Sequence, residues 1–110
     1  MTDYKNTAKI FKAYCDETRV HILTLLQNGE RCACELLEEL HQSQSGLSYH
    51  MKILQEAGII HARTEGKWTY YRICSDGRRR ALQRLEELTA PQAIAKEKNN
   101  THQEDSTRCT

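Results

Sequence analysis

The sequence predicts a mostly α-helical domain that carries one β-hairpin, and two patterns along the chain support this. Apolar residues recur at helical spacing over most of the first 90 residues. Residues 59–63 and 67–73 are instead rich in β-branched and aromatic side chains and flank Thr64-Glu65-Gly66, a turn with a glycine. With 110 residues, 38% of them apolar, the chain fits one small domain whose core is thin. Association with a second copy would supply further burial.

The first two helices follow from short apolar stripes and a helix-start signal. The first stripe comprises Ile10, Phe11 and Tyr14. Asp16 stands at the N-cap position of the second helix, whose stripe is Val20, Leu23 and Leu26. Asn28-Gly29 should end that helix.

The third and fourth helices are predicted as a helix-turn-helix. Residues 31–41 place Cys32, Leu36 and Leu40 on one face. After a short turn, Ser43 should cap the fourth helix and Gly58 should end it. Its buried stripe is Leu47, Met51 and Leu54. With the hairpin that follows, this order predicts a winged helix-turn-helix.

A last helix over about residues 76–88 completes the predicted domain. It places Ala81, Leu82, Leu85 and Leu88 on one side, and Pro91 ends it. We therefore predict a DNA-binding and dimerisation domain over residues 1–90 and a flexible tail over residues 91–110, which contains almost nothing apolar. Because no stretch approaches the roughly 18 apolar residues of a membrane helix, and no signal-peptide region is present, we expect a cytoplasmic chain without a membrane partner.

The charge distribution and one helix face point to double-stranded DNA. The net charge is only +1, but residues 63–80 contain six basic and two acidic side chains. The fourth helix would present a polar face suited to a major groove, with Gln44 at its start and Ser45, Ser48, Tyr49 and Lys52 along it. His50 and Lys52 would extend the contact. In the hairpin, Arg63, Lys67 and Arg72 would lie against the DNA backbone. DNA binding itself should need no cofactor.

Cys32 and Cys34 form a Cys-x-Cys pair at the start of the third helix. On a regular helix such side chains point about 200° apart, so that Cys32 packs inward while Cys34 is exposed near a helix N-terminus. We expect this position to lower the pKa of Cys34 and make it a ligand for soft ions. An ion bound by both sulfurs would then have to unwind the first turn of the third helix. This helix packs behind the fourth helix, which is predicted to contact DNA.

The other cysteines and the histidines carry weaker signals. Cys15, between the first two helices, and Cys109, in the tail, are candidates for a third sulfur ligand. Cys74 should be structural, and His21 and His61 lack partners at metal-ligand spacing. A redox or persulfide sensor that joins its two thiols remains an alternative. A thiol oxidoreductase or metal carrier is disfavoured because the chain has no Cys-x-x-Cys in a βαβ setting, so an enzyme is not expected.

Three ordered motifs occupy residues 16–23 (DETRVHIL), 31–36 (RCACEL) and 43–54 (SQSGLSYHMKIL). They resemble the helix start, the metal box and the recognition helix of the ArsR/SmtB family of metal-responsive winged-helix repressors. The resemblance covers roughly residues 8–88. It implies a homodimer built from the first and last helices, a palindromic operator, and repression relieved by arsenite, antimonite, cadmium, lead or zinc, with ligand roles for Cys32 and Cys34.

The chain departs from the family's sensors in ways that bear on the effector. Leu37 stands where arsenic sensors often have another cysteine, and no cysteine precedes Cys15 as it does in cadmium and lead sensors. The last helix lacks the ligands of the family's zinc site. Trivalent arsenic accepts two or three thiolates, so As(III) or Sb(III) is the expected effector; Cd(II), Pb(II) and a trivalent organoarsenical stay open. The sequence does not determine the operator or the regulated genes.

Overall fold

The structure, a computed structural model, describes residues 3–91; apart from Pro91, the expected tail lies outside this range. The described chain contains five α-helices, a short 3-10 turn and three strands. Their order is α1 (Tyr4–Tyr14), α2 (Glu17–Leu25), the 3-10 turn (Leu26–Asn28), β1 (Arg31–Cys32), α3 (Ala33–Leu40), α4 (Gln44–Glu56), β2 (Ile60–Glu65), β3 (Trp68–Ile73) and α5 (Ser75–Thr89). This arrangement confirms a mostly α-helical winged helix-turn-helix. Within residues 3–91, no helix is both long and apolar enough to cross a membrane.

The two predicted N-caps, Asp16 and Ser43, are confirmed. The Asp16 carboxylate accepts a hydrogen bond from the Arg19 backbone N–H at 3.1 Å and so begins α2. The Ser43 hydroxyl accepts from the Gly46 N–H at 3.0 Å and begins α4. Between α3 and α4, His41 adopts a left-handed conformation with φ 55°, which makes the turn of the helix-turn-helix tight.

The third helix begins later than the sequence predicted. Residues 31–32 form a strand, and α3 starts only at Ala33. This strand pairs antiparallel with β3, with Arg31 opposite Tyr71 and Cys32 opposite Tyr70. The hairpin is therefore part of a three-stranded sheet in the order β1-β3-β2. The sequence pattern missed β1 because two residues are too few to show alternation.

The hairpin turn is also tighter than predicted. Glu65 belongs to β2 and pairs with Trp68, so that Gly66 and Lys67 alone form the turn. Gly66 has φ 64°, and a glycine at the first position is typical of a two-residue hairpin turn.

One core joins the helices to the sheet. The predicted stripe of α4 is confirmed, with Leu47, Met51 and Leu54 all buried. They pack with Ala13, Ile22, Leu26, Leu36, Ala57, Ile59, Ile60 and Tyr71. The core therefore fixes α4 against α2, α3 and the sheet.

The position of α5 depends on a close approach between the backbones of Gly77 and Gly58. A Cβ on Gly77 would lie 1.8 Å from the Gly58 carbonyl oxygen, so only glycine fits there. Cys74 is buried and its sulfur accepts from the Gly77 N–H at 3.3 Å, a structural role in agreement with the sequence reading. Further along α5, Leu82, Leu85 and Leu88 remain about half exposed in the single chain.

Candidate thiol site and nucleic-acid interface

Cys32 is both the last residue of β1 and the N-cap of α3. Its backbone is extended, with φ −73° and ψ 145°. Its sulfur accepts a hydrogen bond from the Cys34 N–H at 3.3 Å, and its own N–H donates to Glu35 Oε1 at 3.1 Å. This reciprocal capping arrangement fixes the Cys-x-Cys segment between a strand and a helix.

The prediction that both cysteines lie in one regular helix is therefore wrong, although Cys32 is buried and Cys34 is exposed, as that prediction expected. Cys32 precedes the first helical turn, and its sulfur accepts the hydrogen bond from the Cys34 backbone N–H. The interaction between the two neighbouring thiols lowers the pKa of Cys32 below its ordinary value and raises the pKa of Cys34. The lowered pKa thus belongs to Cys32 and not, as predicted, to exposed Cys34.

The donor set of this site consists of two thiols. Within residues 3–91, no three His, Cys, Asp or Glu side chains come together as a metal site. Exposed Cys15, at the junction of α1 and α2, therefore does not join Cys32 and Cys34 within one chain. Cys109 lies outside the described residues. Two soft sulfur ligands at one place fit a thiophilic ion or metalloid.

Both cysteines line a groove that also contains part of the predicted DNA-reading surface. The groove has a volume of about 800 Å³. One side is the start of α4 and another is the tip of the hairpin. Its walls comprise Cys32, Ala33, Cys34, Leu37, Ser43, Gln44, Ser45, Leu47, Ser48, Lys67, Trp68, Thr69 and Tyr71. A group bound to the thiols would therefore lie beside residues that were predicted to contact DNA.

The structure places five of the predicted DNA contacts together on the outer face of α4. Gln44, Ser45, Ser48, Tyr49 and Lys52 are all exposed there. The opposite face of this helix is buried, so the outer face is available to a ligand. The arrangement suits insertion of α4 into a major groove.

His50, another predicted DNA contact, lies elsewhere. Its side chain is only 14% exposed, and Nδ1 lies 2.9 Å from an Arg19 guanidinium nitrogen and 3.8 Å from the Asp16 carboxylate. Buried Arg19 also donates from Nε to the Ala13 carbonyl at 2.8 Å. The sequence analysis did not predict that Arg19 is buried. Arg19 precedes the buried Ile22 by three residues, and this helical spacing could have indicated its burial. His50 is thus directed at α2 and helps to orient α4.

The three predicted wing cations differ in their surroundings. Lys67 is exposed at the hairpin tip, with Nζ 5.7 Å from the centroid of the Trp68 ring. Arg63 is held by two carboxylates: Nε and one terminal nitrogen each lie 2.8 Å from Glu30, and the other terminal nitrogen lies 2.7 Å from Glu65. These contacts raise the pKa of Arg63, and the hydrogen bonds to Glu30 have the largest effect. Lys67 and the exposed Arg72 of β3 form no salt bridge with a described residue.

A buried helix-turn-helix core, an exposed polar α4 and a hairpin beside it define a winged helix-turn-helix transcriptional regulator. Residues 16–62 match the profile of the bacterial regulatory protein arsR family. An uncharacterized HTH-type transcriptional regulator of Methanocaldococcus jannaschii is 43% identical over 89 residues, which cover 80% of this chain and all of that protein. The chain belongs to the ArsR family, whose members are transcriptional regulators and not enzymes.

Two further relatives are named for resistance to arsenicals or to cadmium. The arsenical resistance operon repressor of Escherichia coli is 44% identical over 59% of this chain and 56% of its own length. A cadmium resistance regulatory protein homolog of Staphylococcus aureus is 40% identical over 60% of this chain and 55% of its own length. The matches thus span little more than half of the length of these two relatives.

Solved structures support the fold. An ArsR-like transcriptional regulator from Rhodococcus sp. RHA1 superposes with a TM-score of 0.70 at 30% identity, covering 79% of this chain and 80% of that one. Another ArsR family regulator gives a TM-score of 0.71 at 22% identity over 79% of this chain and 90% of that one, a likeness of fold alone.

Proposed function

We propose that this protein is a metalloregulated repressor that binds a palindromic operator as a homodimer and releases it when arsenite or antimonite binds Cys32 and Cys34. The observation that carries the proposal is the groove in which the thiol pair and the start of α4 share walls. The relatives named for arsenical resistance support the choice of effector class. Such a regulator acts on DNA in the cytoplasm.

Operator recognition is assigned to α4 and the hairpin tip. Gln44 at the helix start can pair with adenine, and Ser45 and Ser48 can bond base edges or phosphates. Lys52 and Lys67 supply charge to the DNA backbone. Tyr49, 62% exposed, offers an aromatic surface beside them.

The homodimer is assigned to α1 and α5. Leu82, Leu85 and Leu88 are 51%, 48% and 54% exposed and follow one face of α5. A row of half-exposed leucines of this kind marks an interaction surface. Arg84 donates to the Thr7 hydroxyl at 2.7 Å and ties α5 to α1, so the two helices present one surface. In a two-fold dimer the two α4 helices read half-sites about 34 Å apart.

Release of the operator follows from what the Cys-x-Cys segment contacts. Bonding of both sulfurs to one arsenic removes the Cys32 cap of α3 and pulls on β1, whose partner strand β3 belongs to the hairpin. The bound group also enters the groove beside Gln44 and Ser48. Because the effector must favour the DNA-free state, it binds this segment more tightly when no duplex is present.

The test uses the reduced full-length protein and a duplex selected by it from random DNA. Arsenite, antimonite, Cd(II) and Pb(II) are titrated in turn while fluorescence anisotropy of the labelled duplex reports release. We expect release by arsenite and antimonite, and no release for the Cys34→Ser variant at the same concentrations. Release of this variant at wild-type concentrations would contradict the assignment of the thiols. Release by Cd(II) alone would make the protein a cadmium sensor.

A thiol redox or persulfide sensor is the second candidate, and the hydrogen bond from the Cys34 backbone N–H to the Cys32 sulfur, which holds the two cysteines in one turn, favours it. Because Cys32 lies outside α3, the pair is not held in the geometry of a regular helix. Mild oxidation followed by mass measurement tests this function. Loss of two hydrogens per chain together with release of DNA in the absence of metal would establish the redox function in place of the arsenic one.

A further inference from the structure

A second groove lies at the base of the hairpin, between the 3-10 turn, the end of β3 and the start of α5. Its volume of about 580 Å³ lies within the roughly 300–1,000 Å³ that pockets for small organic molecules have. Three of the residues that line it are arginines: Arg72 on β3, and Arg78 and Arg79 on α5. A groove with several cations in its wall suits an anionic ligand.

Two of these arginines have no acidic partner. Arg79 pairs with Asp76, one turn earlier in α5. Arg72 and Arg78 are exposed, and within residues 3–91 their guanidinium groups form neither a salt bridge nor a hydrogen bond. The protein thus holds two positive charges beside one groove without neutralising either of them directly.

The carboxylate in the groove wall does not balance these charges. It belongs to Glu30, and both of its oxygens accept hydrogen bonds from Arg63. These bonds are the main reason that the pKa of Glu30 is lowered, and the charge of Arg72 makes a smaller contribution. Because Arg63 already neutralises Glu30, an anion that enters the groove meets an excess of positive charge.

The groove is separate from the surface assigned to the operator. Arg72 lies opposite His61, four residues along β3 from Trp68 at the hairpin tip. This separation is roughly 13 Å, since a strand rises about 3.3 Å per residue. Among the described residues that line the groove, none belongs to α4. A duplex bound by α4 and the hairpin tip therefore leaves the groove open to a small molecule.

The donors favour a phosphate over a carboxylate. Each guanidinium is a planar fork of N–H donors that can bind two oxygens at once. Arg72 and Arg78, with the exposed Ser75 hydroxyl between the strand and the helix, offer more donors than the two oxygens of a carboxylate can use. A phosphate monoester presents three such oxygens. Leu26 and Ile73 add apolar surface to the wall, and the volume leaves room for an organic group.

We propose that this groove binds a small phosphorylated organic molecule, with its phosphate between Arg72 and Arg78 and its organic part against Ile73. The site does not involve Cys32 or Cys34 and is independent of the proposed response to arsenic. Arg72 belongs to the hairpin and Arg78 to α5, so a bound phosphate connects the wing to the helix assigned to the dimer.

The binding test uses the isotope-labelled full-length protein without DNA and follows the arginine Nε–H resonances by NMR. Phenyl phosphate is the probe, benzoate is the carboxylate comparison, and sodium chloride at the same ionic strength is the control for screening. We expect saturable shifts at Arg72 and Arg78, with phenyl phosphate binding about tenfold more tightly than benzoate because more charge-assisted hydrogen bonds form. Shifts that do not saturate, or that sodium chloride reproduces, overturn the proposal, and tighter binding of benzoate overturns the phosphate class.

Arginine-to-glutamine variants test the two cations separately. Arg72→Gln and Arg78→Gln should each weaken phenyl phosphate binding about tenfold, as expected for the loss of hydrogen bonds from a charged group. Arg80→Gln removes an exposed arginine of α5 that is not part of the groove wall, and this matched control should bind as tightly as wild type. Equal affinity of all three variants would show that the groove does not hold the phosphate.

The sequence also predicts Arg72 as a contact to the DNA backbone, and the salt dependence of operator binding decides between the two roles. If Arg72 serves the groove, Arg72→Gln leaves the slope of log K against log salt unchanged. A slope reduced by about one would place Arg72 on a DNA phosphate and contradict the proposal. Arsenite titrations of the thiol pair are measured separately, so failure of the proposed function leaves the phenyl phosphate result intact, and the reverse also holds.

Discussion

Arg63 donates two parallel hydrogen bonds to the Glu30 carboxylate, both of 2.8 Å. The pair joins β2 of the hairpin to the residue just before β1, which leads into the thiol pair. Arg63 also stacks over the Tyr70 ring at 4.5 Å. The hairpin is therefore tied by side chains, as well as by the β1-β3 ladder, to the segment that would bind the effector.

This ion pair changes what the wing cations should contribute to DNA binding. Because Glu30 and Glu65 already neutralise Arg63, Arg63→Ala should leave the slope of log K against log salt unchanged. Lys67→Ala and Lys52→Ala should each reduce its magnitude by about one if each residue contacts one phosphate. Anisotropy titrations between about 50 and 200 mM salt measure all three slopes. If Arg63→Ala reduced the magnitude of this slope by a full unit, Arg63 would have to leave Glu30 and contact a phosphate in the complex.

Substitutions of Cys32 separate its capping role from its ligand role. Serine is a good N-cap, so Cys32→Ser should keep α3 intact, bind the operator normally and no longer respond to arsenite. Cys32→Ala loses both roles and should be less stable by about 0.5–2 kcal/mol. Urea denaturation compares the variants, and anisotropy follows release. Equal stability of the serine and alanine variants would show that the sulfur does not cap the helix.

Much of the fold could be predicted because each of its signals is local. Asp16 and Ser43 precede apolar stripes, and both cap helices as expected. β1 could not be predicted, since a strand of two residues exists only through its pairing with β3. The same strand decides the geometry of the thiol site: it keeps Cys32 out of α3. Local periodicity carries no information about such a tertiary contact.

The predicted DNA-binding face of α4 was likewise predictable only where local spacing determines which side chains are exposed. Helical spacing from Leu47 and Met51 was enough to place Ser48 and Lys52 outside. It could not place His50, which lies at the boundary between the two faces. A buried arginine from another helix decides the direction of that side chain.

The Asp16 cap should be visible in the pH dependence of stability. The hydrogen bond from the Arg19 backbone N–H, the largest effect, holds the pKa of Asp16 below its ordinary 3.8. A lowered folded-state pKa stabilises the protein above the unfolded-state pKa, and this stability is lost as pH falls through the folded-state value. Wild type should therefore lose more stability than Asp16→Asn between about pH 5 and pH 2. Urea denaturation at several pH values measures this, and parallel curves would contradict it.

The contact between Arg19 and His50 should contribute to folding and to the position of α4. His50→Leu removes the acceptor and leaves a buried guanidinium N–H without a partner, which should destabilise the protein by about 1–3 kcal/mol. His50→Gln supplies another acceptor and should lose less than half of that. Urea denaturation provides both values. If His50 instead served mainly as a DNA contact, both variants would fold with wild-type stability and only operator affinity would fall.

The exposed leucines of α5 should determine the oligomeric state. Leu85 is 48% exposed in the single chain, in line with Leu82 and Leu88, so Leu85→Glu would place a charge in the middle of the proposed dimer surface. We expect this variant to sediment as a monomer and to bind the palindromic duplex at least tenfold more weakly, because only one α4 then engages at a time. Gln83→Glu introduces the same charge on exposed α5 outside the leucine row and should remain dimeric. Sedimentation velocity at several concentrations distinguishes the two, and a dimeric Leu85→Glu variant would place the interface on another surface.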